Sequence, residues 1–349
     1  MHVLIVWRRP APPIFIGGAE ISQRLLAQAL AQEGHRVTYI GGYEHSRTGR
    51  SERNQLVSRL AQLGITPHEE GESGLRYEWQ AVSCIALPQR RISKTLTDVI
   101  ATDPPDVVIS SQEGSANLLS LVPSGTRTVG WLHSITDVGL GVLNANPDIA
   151  LATSRFVAAR CQPPDGTRVV TFYPPFTAPR QPVIEPGTTR RALLMVNPVP
   201  EKGVELVHRL AAAMPERPVT LVEGWWPVTK PADQPNVTNL PPQWSMEHVY
   251  SDTRLLLVPS TVEEAFGRVV IEAGLHAVPA LTSHLGGLPE AVAHGGLILD
   301  PTDVDAWRTA IKELDNPDTY TRYAQAAIKN ASKYLRPVVN ELADTGVLG

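Results

Sequence analysis

The length and composition of the chain indicate a globular protein of two domains. Its 349 residues exceed what one ordinary hydrophobic core organises. Hydrophobic residues make up 42% and charged residues 19%, values that are typical of a water-soluble fold. The net charge of −4 argues against a nucleic-acid partner, and no apolar run reaches the roughly 18 residues that span a bilayer.

The cysteines and the first ten residues predict a cytoplasmic protein that begins with a strand. Cys84 and Cys161 are too few for a disulfide framework or a metal-ligand cluster, so we expect a reducing cytoplasm. The opening MHVLIVWRRP places its apolar run before its arginines, which is the reverse of a secretory signal. It predicts a β-strand over 2–7.

Strand-like apolar runs alternate with helix-like patterns along the first half, which predicts a parallel sheet covered on both faces. A helix over 19–33 carries an apolar stripe on one side and stops before Gly34. Further strands are predicted at 37–41, 81–86, 106–110, 127–132 and 148–152.

The segment 173–190 has five prolines and little periodicity, which predicts an interdomain linker. We therefore place the domains at 1–175 and 191–335, with a linker at 176–190 and a tail at 336–349. In the second domain, strands are predicted at 192–196, 218–222, 254–258, 279–282 and 297–299. Helices are predicted at 203–213, 268–276, 287–293, 303–314 and 318–334.

The segment 259–290, PSTVEEAFGRVVIEAGLHAVPALTSHLGGLPE, carries the strongest functional pattern. If a helix begins at Arg268, the amides of its first turn point outward and form an anion site, which Gly267 lets a ligand approach. Glu264 precedes that helix and Glu272 lies about one turn inside it, so both can accept hydrogen bonds from hydroxyls. A phosphate flanked by two hydroxyl acceptors describes a nucleotide sugar.

This segment resembles the donor site of the retaining GT-B glycosyltransferases of family 4, the glycosyl transferases group 1. The residues that match that family's pattern are Pro259, Ser260, Glu264, Phe266, Gly267, Glu272, Ala273, Gly286, Gly287, Pro289 and Glu290. Eleven matches in one ordered run of 32 residues distinguish the segment from an ordinary αβα unit with surface glutamates.

The resemblance implies an α/β protein with the GT-B fold, in which two Rossmann-like doubly wound domains face a central cleft. The first domain then binds the acceptor and the second binds the nucleotide-sugar donor. The tail 336–349 packs back on the first domain. Ligands of such sheets bind at the carboxyl ends of the strands.

The resemblance also implies roles for single residues. Lys202 and the first-turn amides serve the diphosphate, Glu264 and the backbone at Phe266 hold donor-sugar hydroxyls, and Glu272 binds the ribose diol. The implied catalytic residues are Glu264, His133 and Lys202. The implied donor-binding residues are Gly18, Asn197, Lys202, Phe266, Gly267, Arg268, Val269, Val270 and Glu272. The alternatives, which we favour less, are a structural role for His133 and a solvated position at a helix start for Lys202.

Gly17 and Gly18 follow the first strand and open a helix. Adjacent glycines allow a turn with positive φ and bring backbone amides near a ligand. A plain turn into a helix is the alternative. The pair does not form the G-x-G-x-x-G pattern of dinucleotide cofactors.

Asn197 is a departure from the family, which has an arginine five residues before the lysine. Asparagine donates a hydrogen bond but brings no charge to the diphosphate. Arg268, Arg190 and Arg191 are the candidates for supplying that charge.

Three further groups of residues allow two interpretations each, and Ala277 is a second departure from the family. Trp225 and Trp226 either stack on a nucleotide base or pack at a domain rim. Asp303 and Asp305 resemble a D-x-D metal motif, but we expect them to cap a helix. Ala277 stands where the family has a left-handed glycine, at a cost of about 1 kcal/mol if that geometry is kept. Five arginines either meet an anionic acceptor or are solvated loop charges, and we favour the second interpretation. They are Arg8, Arg9, Arg47, Arg50 and Arg53.

These patterns predict a retaining, metal-independent glycosyltransferase that moves a sugar from a nucleotide-diphosphate sugar to an acceptor hydroxyl. The expected partners are that donor, which is a co-substrate rather than a cofactor, and a small-molecule or glycoconjugate acceptor. The sequence shows no basic amphipathic helix of the kind that docks on a membrane, although peripheral membrane contact is left as an open alternative. The alternatives are a sugar-nucleotide epimerase or phosphorylase of the same fold, and a non-catalytic nucleotide-sugar-binding protein.

Overall fold

The computed structural model describes residues 1–14, 17–44, 51–180, 190–224 and 234–349. The chain forms two compact units, the first made of Met1–Pro175 with Pro337–Gly349 and the second of Phe176–Arg336. Most of the predicted linker lies outside the described residues. Among those residues, no helix combines the length and the apolar character needed to cross a membrane.

The first unit is built on a sheet of nine described strands in the order β3-β4-β5-β2-β1-β6-β7-β8-β9. The strands are β1 His2–Pro10, β2 Arg36–Gly42, β3 His68–Glu70, β4 Gly74–Trp79, β5 Val82–Leu87, β6 Val107–Ser110, β7 Arg127–Leu132, β8 Ile149–Ala152 and β9 Arg168–Thr171. All neighbouring pairs are parallel except β3–β4 and β4–β5.

Helices cover this sheet because its central strands are apolar on both faces. The helices of the first segment are α1 Gly18–Gln32, α2 Arg53–Gln62, α3 Gln89–Thr102, α4 Ser115–Leu119, α5 Asp137–Leu140 and α6 Arg155–Arg160. Leu26 and Leu30 lie one turn apart on α1 and are fully buried against the strands.

The second unit has a parallel sheet in the order β12-β11-β10-β13-β14-β15. Its strands are β10 Ala192–Val196, β11 Val219–Val222, β12 Val237–Leu240, β13 Thr253–Val258, β14 Ala280–Ser283 and β15 Gly296–Leu299. Its helices are α7 Val204–Ala213, α8 Glu247–Asp252, α9 Arg268–Leu275, α10 Leu288–Val292, α11 Val304–Glu313 and α12 Pro317–Ala331.

The end of the chain returns to the first unit. Helix α13, Val338–Asp344, contacts α1, and the Arg127 guanidinium donates to the carbonyl oxygen of Val347 at 3.0 Å. The apolar residues of this segment that join the core of the first unit are Val338, Val339, Leu342, Val347 and Leu348. Two distant segments of the chain therefore share one core.

Candidate functional site

Three loops of the second unit, two of them from the segment 259–290, lie at the topological switch point of its sheet. The order of strands reverses between β10 and β13, and ligands of doubly wound sheets bind beside the carboxyl ends of such strands. Lys202 follows β10, Glu264 follows β13, and Gly286 follows β14. Parallel pairing brings these three loops to the same edge.

Close backbone approach holds the loops together. Gly203 has φ +81, and a Cβ there would lie 2.0 Å from the carbonyl oxygen of Pro259. Gly286 has φ +68, and its Cβ would lie 2.3 Å from the carbonyl oxygen of Glu264. The amide of Gly287 donates to that same oxygen at 2.7 Å. The glycines thus set the position of the backbone that carries Glu264.

Glu264 receives two polar groups on one carboxylate oxygen. Lys202 Nζ and Ser260 Oγ each lie 2.5 Å from Oε1 of Glu264. The Lys202 side chain is 30% exposed and that of Glu264 is 16% exposed, so the pair opens to solvent on one side. The structure therefore brings together two of the three predicted catalytic residues.

Helix α9 begins at Arg268, as expected, with Gly267 preceding it at φ +105. The amide of Val270 donates to the carbonyl oxygen of Gly267 at 2.9 Å. The expectation that all three first amides point outward unpaired was wrong for Val270, because the first turn closes tightly upon itself. A Cβ at Gly267 would lie 2.8 Å from Cδ2 of Leu288, and φ +105 favours glycine there independently of any ligand.

Both oxygens of Glu272 are engaged by neighbouring side chains. Arg268 Nε lies 2.7 Å from Oε1, and the Tyr250 hydroxyl donates to Oε2 at 3.3 Å. Burial, reinforced by the Glu272 carboxylate, holds the pKa of Tyr250 well above its usual value. Burial lowers the pKa of Arg268, while Glu272 acts in the opposite direction.

Arg268 is itself enclosed, with 10% of its side chain exposed and its guanidinium 4.3 Å from the centre of the Phe176 ring. A guanidinium stays charged in proteins, so Arg268 brings a permanent cation to this part of the second unit. Phe266, another predicted donor-binding residue, is buried and its ring lies 6.5 Å from that of Phe176.

The missing family arginine is not replaced by Arg190. Arg190 is buried and donates to the carbonyl oxygen of His276 at 2.9 Å, beyond the end of α9. That candidate assignment was wrong, because the Arg190 guanidinium binds carbonyl oxygens at the end of α9. There Ala277 has the left-handed φ of +55. Arg191 is exposed.

Asn197 has φ +57, a left-handed conformation that asparagine adopts more readily than most residues. The backbone N–H of Asn197 donates to the carbonyl oxygen of Val222 at 2.8 Å. A Cβ at Gly224 would lie 2.4 Å from Oδ1 of Asn197, so the side chain lies against the end of β11. Backbone geometry thus gives a physical reason for asparagine at this position.

In the first unit, the predicted residues lie after β1 and β7. His133 follows β7, is half-buried, and has its ring centre 4.4 Å from that of Trp131. Gly17 caps α1 with φ −106 and Gly18 is the first residue of that helix. The expected positive-φ turn is therefore wrong for Gly17, and the chain enters the helix through an ordinary extended conformation.

Arg9 was expected to be a solvated loop charge, and that expectation is wrong. It lies in β1 with 18% of its side chain exposed, 2.9 Å from Glu20 and 2.8 Å from Glu113. Burial disfavours its charge, but the hydrogen bonds and charges of Glu113 and Glu20 outweigh burial and raise its pKa. Arg53 pairs with Glu69 at the surface, and Arg47 and Arg50 lie outside the described residues.

The remaining candidates separate clearly. The Asp303 carboxylate accepts from the amide of Ala306 at 3.0 Å, which confirms helix capping. Trp225 and Trp226 lie outside the described residues. Within the part of the chain that the structure describes, no group of three or more metal-ligating side chains is present. Tyr250 and the pairing of Arg9 with Glu20 and Glu113 were missed because no motif or spacing ties these residues to their partners.

Comparisons with known proteins relate this chain to one family of enzymes and to one fold. Residues 233–332 match the model of the family described as glycosyl transferases group 1. The D-inositol 3-phosphate glycosyltransferase of Mycolicibacterium gilvum is 29% identical over 189 residues, which cover 48% of this chain and 42% of that protein. The chain therefore spans less than half the length of that relative.

Two solved structures resemble the chain over nearly its whole length. Sucrose-phosphate synthase from Thermosynechococcus elongatus has a TM-score of 0.70 at 17% identity and covers 99% of this chain and 98% of its own. Anabaena HepE in complex with UDP-glucose has a TM-score of 0.70 at 16% identity, with 99% of both chains covered. These comparisons confirm the GT-B fold and the resemblance to the group 1 glycosyl transferases.

Proposed function

We propose that this protein is a retaining glycosyltransferase, because residues 233–332 match the glycosyl transferases group 1 model and the chain has the GT-B fold. It transfers a sugar from a nucleoside diphosphate sugar to an acceptor hydroxyl and needs no metal ion. The observation that carries the proposal is the meeting of Lys202, Glu264 and the start of α9 at the switch point of the second sheet.

In this mechanism, stabilisation of the leaving diphosphate accounts for most of the reduction in the activation barrier. The Lys202 ammonium has three N–H donors and uses one on Glu264, so the others are directed to phosphate oxygens. The positive end of α9 adds to this field. The bond between the anomeric carbon and the phosphate oxygen breaks as the acceptor oxygen attacks the same face, and the departing phosphate oxygen takes the acceptor proton.

Two glutamates of the second unit hold the donor's hydroxyl groups. Glu264 and the backbone at Phe266 and Gly267 hold the sugar, while Glu272 holds the ribose diol. His133 and Gly18 belong to the first unit, and their proposed role is to bind the sugar or the acceptor. Asn197 donates a hydrogen bond at the position of the family arginine, and the charge is supplied by Lys202.

The donor and acceptor are proposed as classes. HepE was solved with UDP-glucose, which makes UDP-sugars the first donors to test. A small soluble molecule with a free hydroxyl is the proposed acceptor, and a glycoconjugate is the alternative. Cys84 and Cys161 are both free thiols, in keeping with a cytoplasmic enzyme.

The proposal is tested by thermal-shift screening of the full chain against UDP, GDP, ADP and their sugars, since a bound donor stabilises the fold. Release of nucleoside diphosphate from the stabilising sugar nucleotide is then measured, because a mere binding protein releases none. Proton NMR of the glycosylated product reports the anomeric configuration. An epimerised sugar nucleotide as the product would contradict transfer.

Glu272→Gln tests the ribose assignment. The amide keeps the shape of the side chain but replaces an acceptor with a donor, and we expect affinity for the nucleoside diphosphate to fall about tenfold or more. Glu313→Gln, at an exposed position at the end of α11, is the matched control. Equal affinity in the Glu272 variant and the control would remove the assignment.

A further inference from the structure

We propose that Tyr250 is a positioning residue that fixes Glu272 for a ribose diol and thereby makes the site prefer ribonucleotides over 2′-deoxyribonucleotides. The inference rests on the proposed function, because it concerns the same nucleotide. It adds a specificity-determining residue from α8, outside the family-like segment that contains Glu272.

The geometry of the carboxylate carries the inference. Tyr250 donates to Oε2 of Glu272 at 3.3 Å, while Arg268 Nε lies 2.7 Å from Oε1. One contact on each oxygen fixes both the position and the rotation of the carboxylate plane. Since each oxygen accepts more than one hydrogen bond, each retains an acceptor direction for one hydroxyl of a vicinal diol.

Tyr250 is held rigidly enough to act in this way. Its side chain is buried, with 2% of the residue exposed, and its ring stacks on that of His276 at 5.0 Å and 27°. Because its pKa is well above the usual value, the hydroxyl keeps the proton that it donates to Glu272. A phenylalanine would fill the same space and remove only that proton donor.

Discrimination follows from this rigidity. A site built to bind a hydroxyl rejects the analogue that lacks it, because the acceptor is left without a partner. A carboxylate held on both oxygens cannot turn away to find another partner when the 2′-hydroxyl is missing. Without the Tyr250 hydroxyl, Glu272 pivots about Arg268, and the cost of binding a deoxyribonucleotide falls.

The test measures dissociation constants of the full chain for UDP, GDP and ADP and for dUDP, dGDP and dADP. The readout is the dissociation constant for the deoxyribonucleotide divided by that for the ribonucleotide. It is taken for the base that the wild type binds best. We expect the wild type to favour the ribonucleotide and Tyr250→Phe to lower the ratio about three- to fivefold, the size of one modest hydrogen bond. Tyr320→Phe is the matched control, since Tyr320 is equally buried and donates to the carbonyl oxygen of Arg254 at 3.1 Å.

A second variant gives the same readout if Tyr250→Phe does not fold, as judged by urea unfolding. Glu272→Asp shortens the side chain by one methylene and withdraws the carboxylate from Tyr250, so the ratio should fall in the same way. Equal weakening of ribo and deoxyribo binding in Tyr250→Phe would make the tyrosine merely structural and overturn the inference, while the proposed function stands. If the wild type binds none of the nucleoside diphosphates, the proposed function fails and the inference fails with it.

Discussion

Each acidic side chain of the candidate site is paired with a cation of the same unit. Lys202 meets Glu264 and Arg268 meets Glu272, at 2.5 and 2.7 Å. The two pairs differ in accessibility, because Lys202 is three times as exposed as Arg268, at 30% against 10%. Lys202 is therefore the cation suited to a passing diphosphate, and Arg268 is suited to holding Glu272 in place.

Replacing Lys202 by methionine separates charge from side-chain length. We expect kcat for sugar transfer to fall about a hundredfold, because one preorganised charge on the leaving group is lost. The free energy of unfolding should change by no more than about 1 kcal/mol, since the pair is partly open to solvent. Lys94→Met, which removes a surface ion pair with Asp98, is the control. Unchanged kcat in the Lys202 variant would exclude it from leaving-group stabilisation.

At the scale of elements, the loops at the switch point are held by backbone contacts that only glycine permits. Gly286 lies against the backbone of Glu264 and Gly287 against that of Ala265, and the amide of Gly287 donates to the carbonyl oxygen of Glu264. The same contact forms an isolated parallel bridge between Glu264 and Gly286. The Gly-Gly pair is thus explained by the packing of two loops upon each other.

Gly286→Ala should be much more damaging than alanine at another left-handed glycine. Gly166 has φ +90 but open space around its missing Cβ, so Gly166→Ala adds only the strain of about 1 kcal/mol expected for left-handed alanine. At Gly286 the Cβ would also meet two backbone atoms of Glu264, at 2.3 and 2.5 Å. We expect a further loss of at least about 2 kcal/mol in unfolding free energy by urea denaturation. Equal losses of unfolding free energy in the two variants would show that the loop at Gly286 relaxes to accommodate the methyl group.

Where sequence periodicity failed to predict a strand, the cause lies in the local backbone. Strands β4 and β5 form a hairpin through Gln80 and Ala81, which have φ +49 and +62. Hairpin turns of this kind normally reveal themselves by asparagine or glycine, and neither residue is present there. Strand β4 was therefore missed, whereas the strand predicted at 192–196 coincides with β10.

At the scale of the whole molecule, the first unit depends on both ends of the described chain. Its core includes Val338 and Leu342 of α13, and Arg127 and Arg168 donate to carbonyl oxygens of the final residues. No single stretch of sequence contains all of this core.

A chain ending at Arg336 tests that dependence. Removing 337–349 exposes apolar surface of α1 and leaves donors of Arg127 and Arg168 without their partners, so the first unit should lose several kcal/mol of stability, on the order of 3 or more. Urea unfolding monitored by proteolysis within 1–175 measures the loss. Leu342→Ser in the full chain should reproduce part of it, whereas Asn340→Ser at a neighbouring exposed position should not. Identical protease resistance of the truncated and full chains would contradict the prediction.

The sequence by itself determined the fold class, most strands, most helices of the second unit, and the segment that carries Glu264 and Glu272. These features rest on periodicity, glycine and local spacing, which are properties of neighbouring residues. Only the tertiary structure decided which charges pair, because Lys202 and Glu264 are 62 positions apart and Tyr250 and Glu272 lie on different helices. It also decided that Arg9 and Arg190 are structural, since burial and partners depend on where distant segments of chain meet.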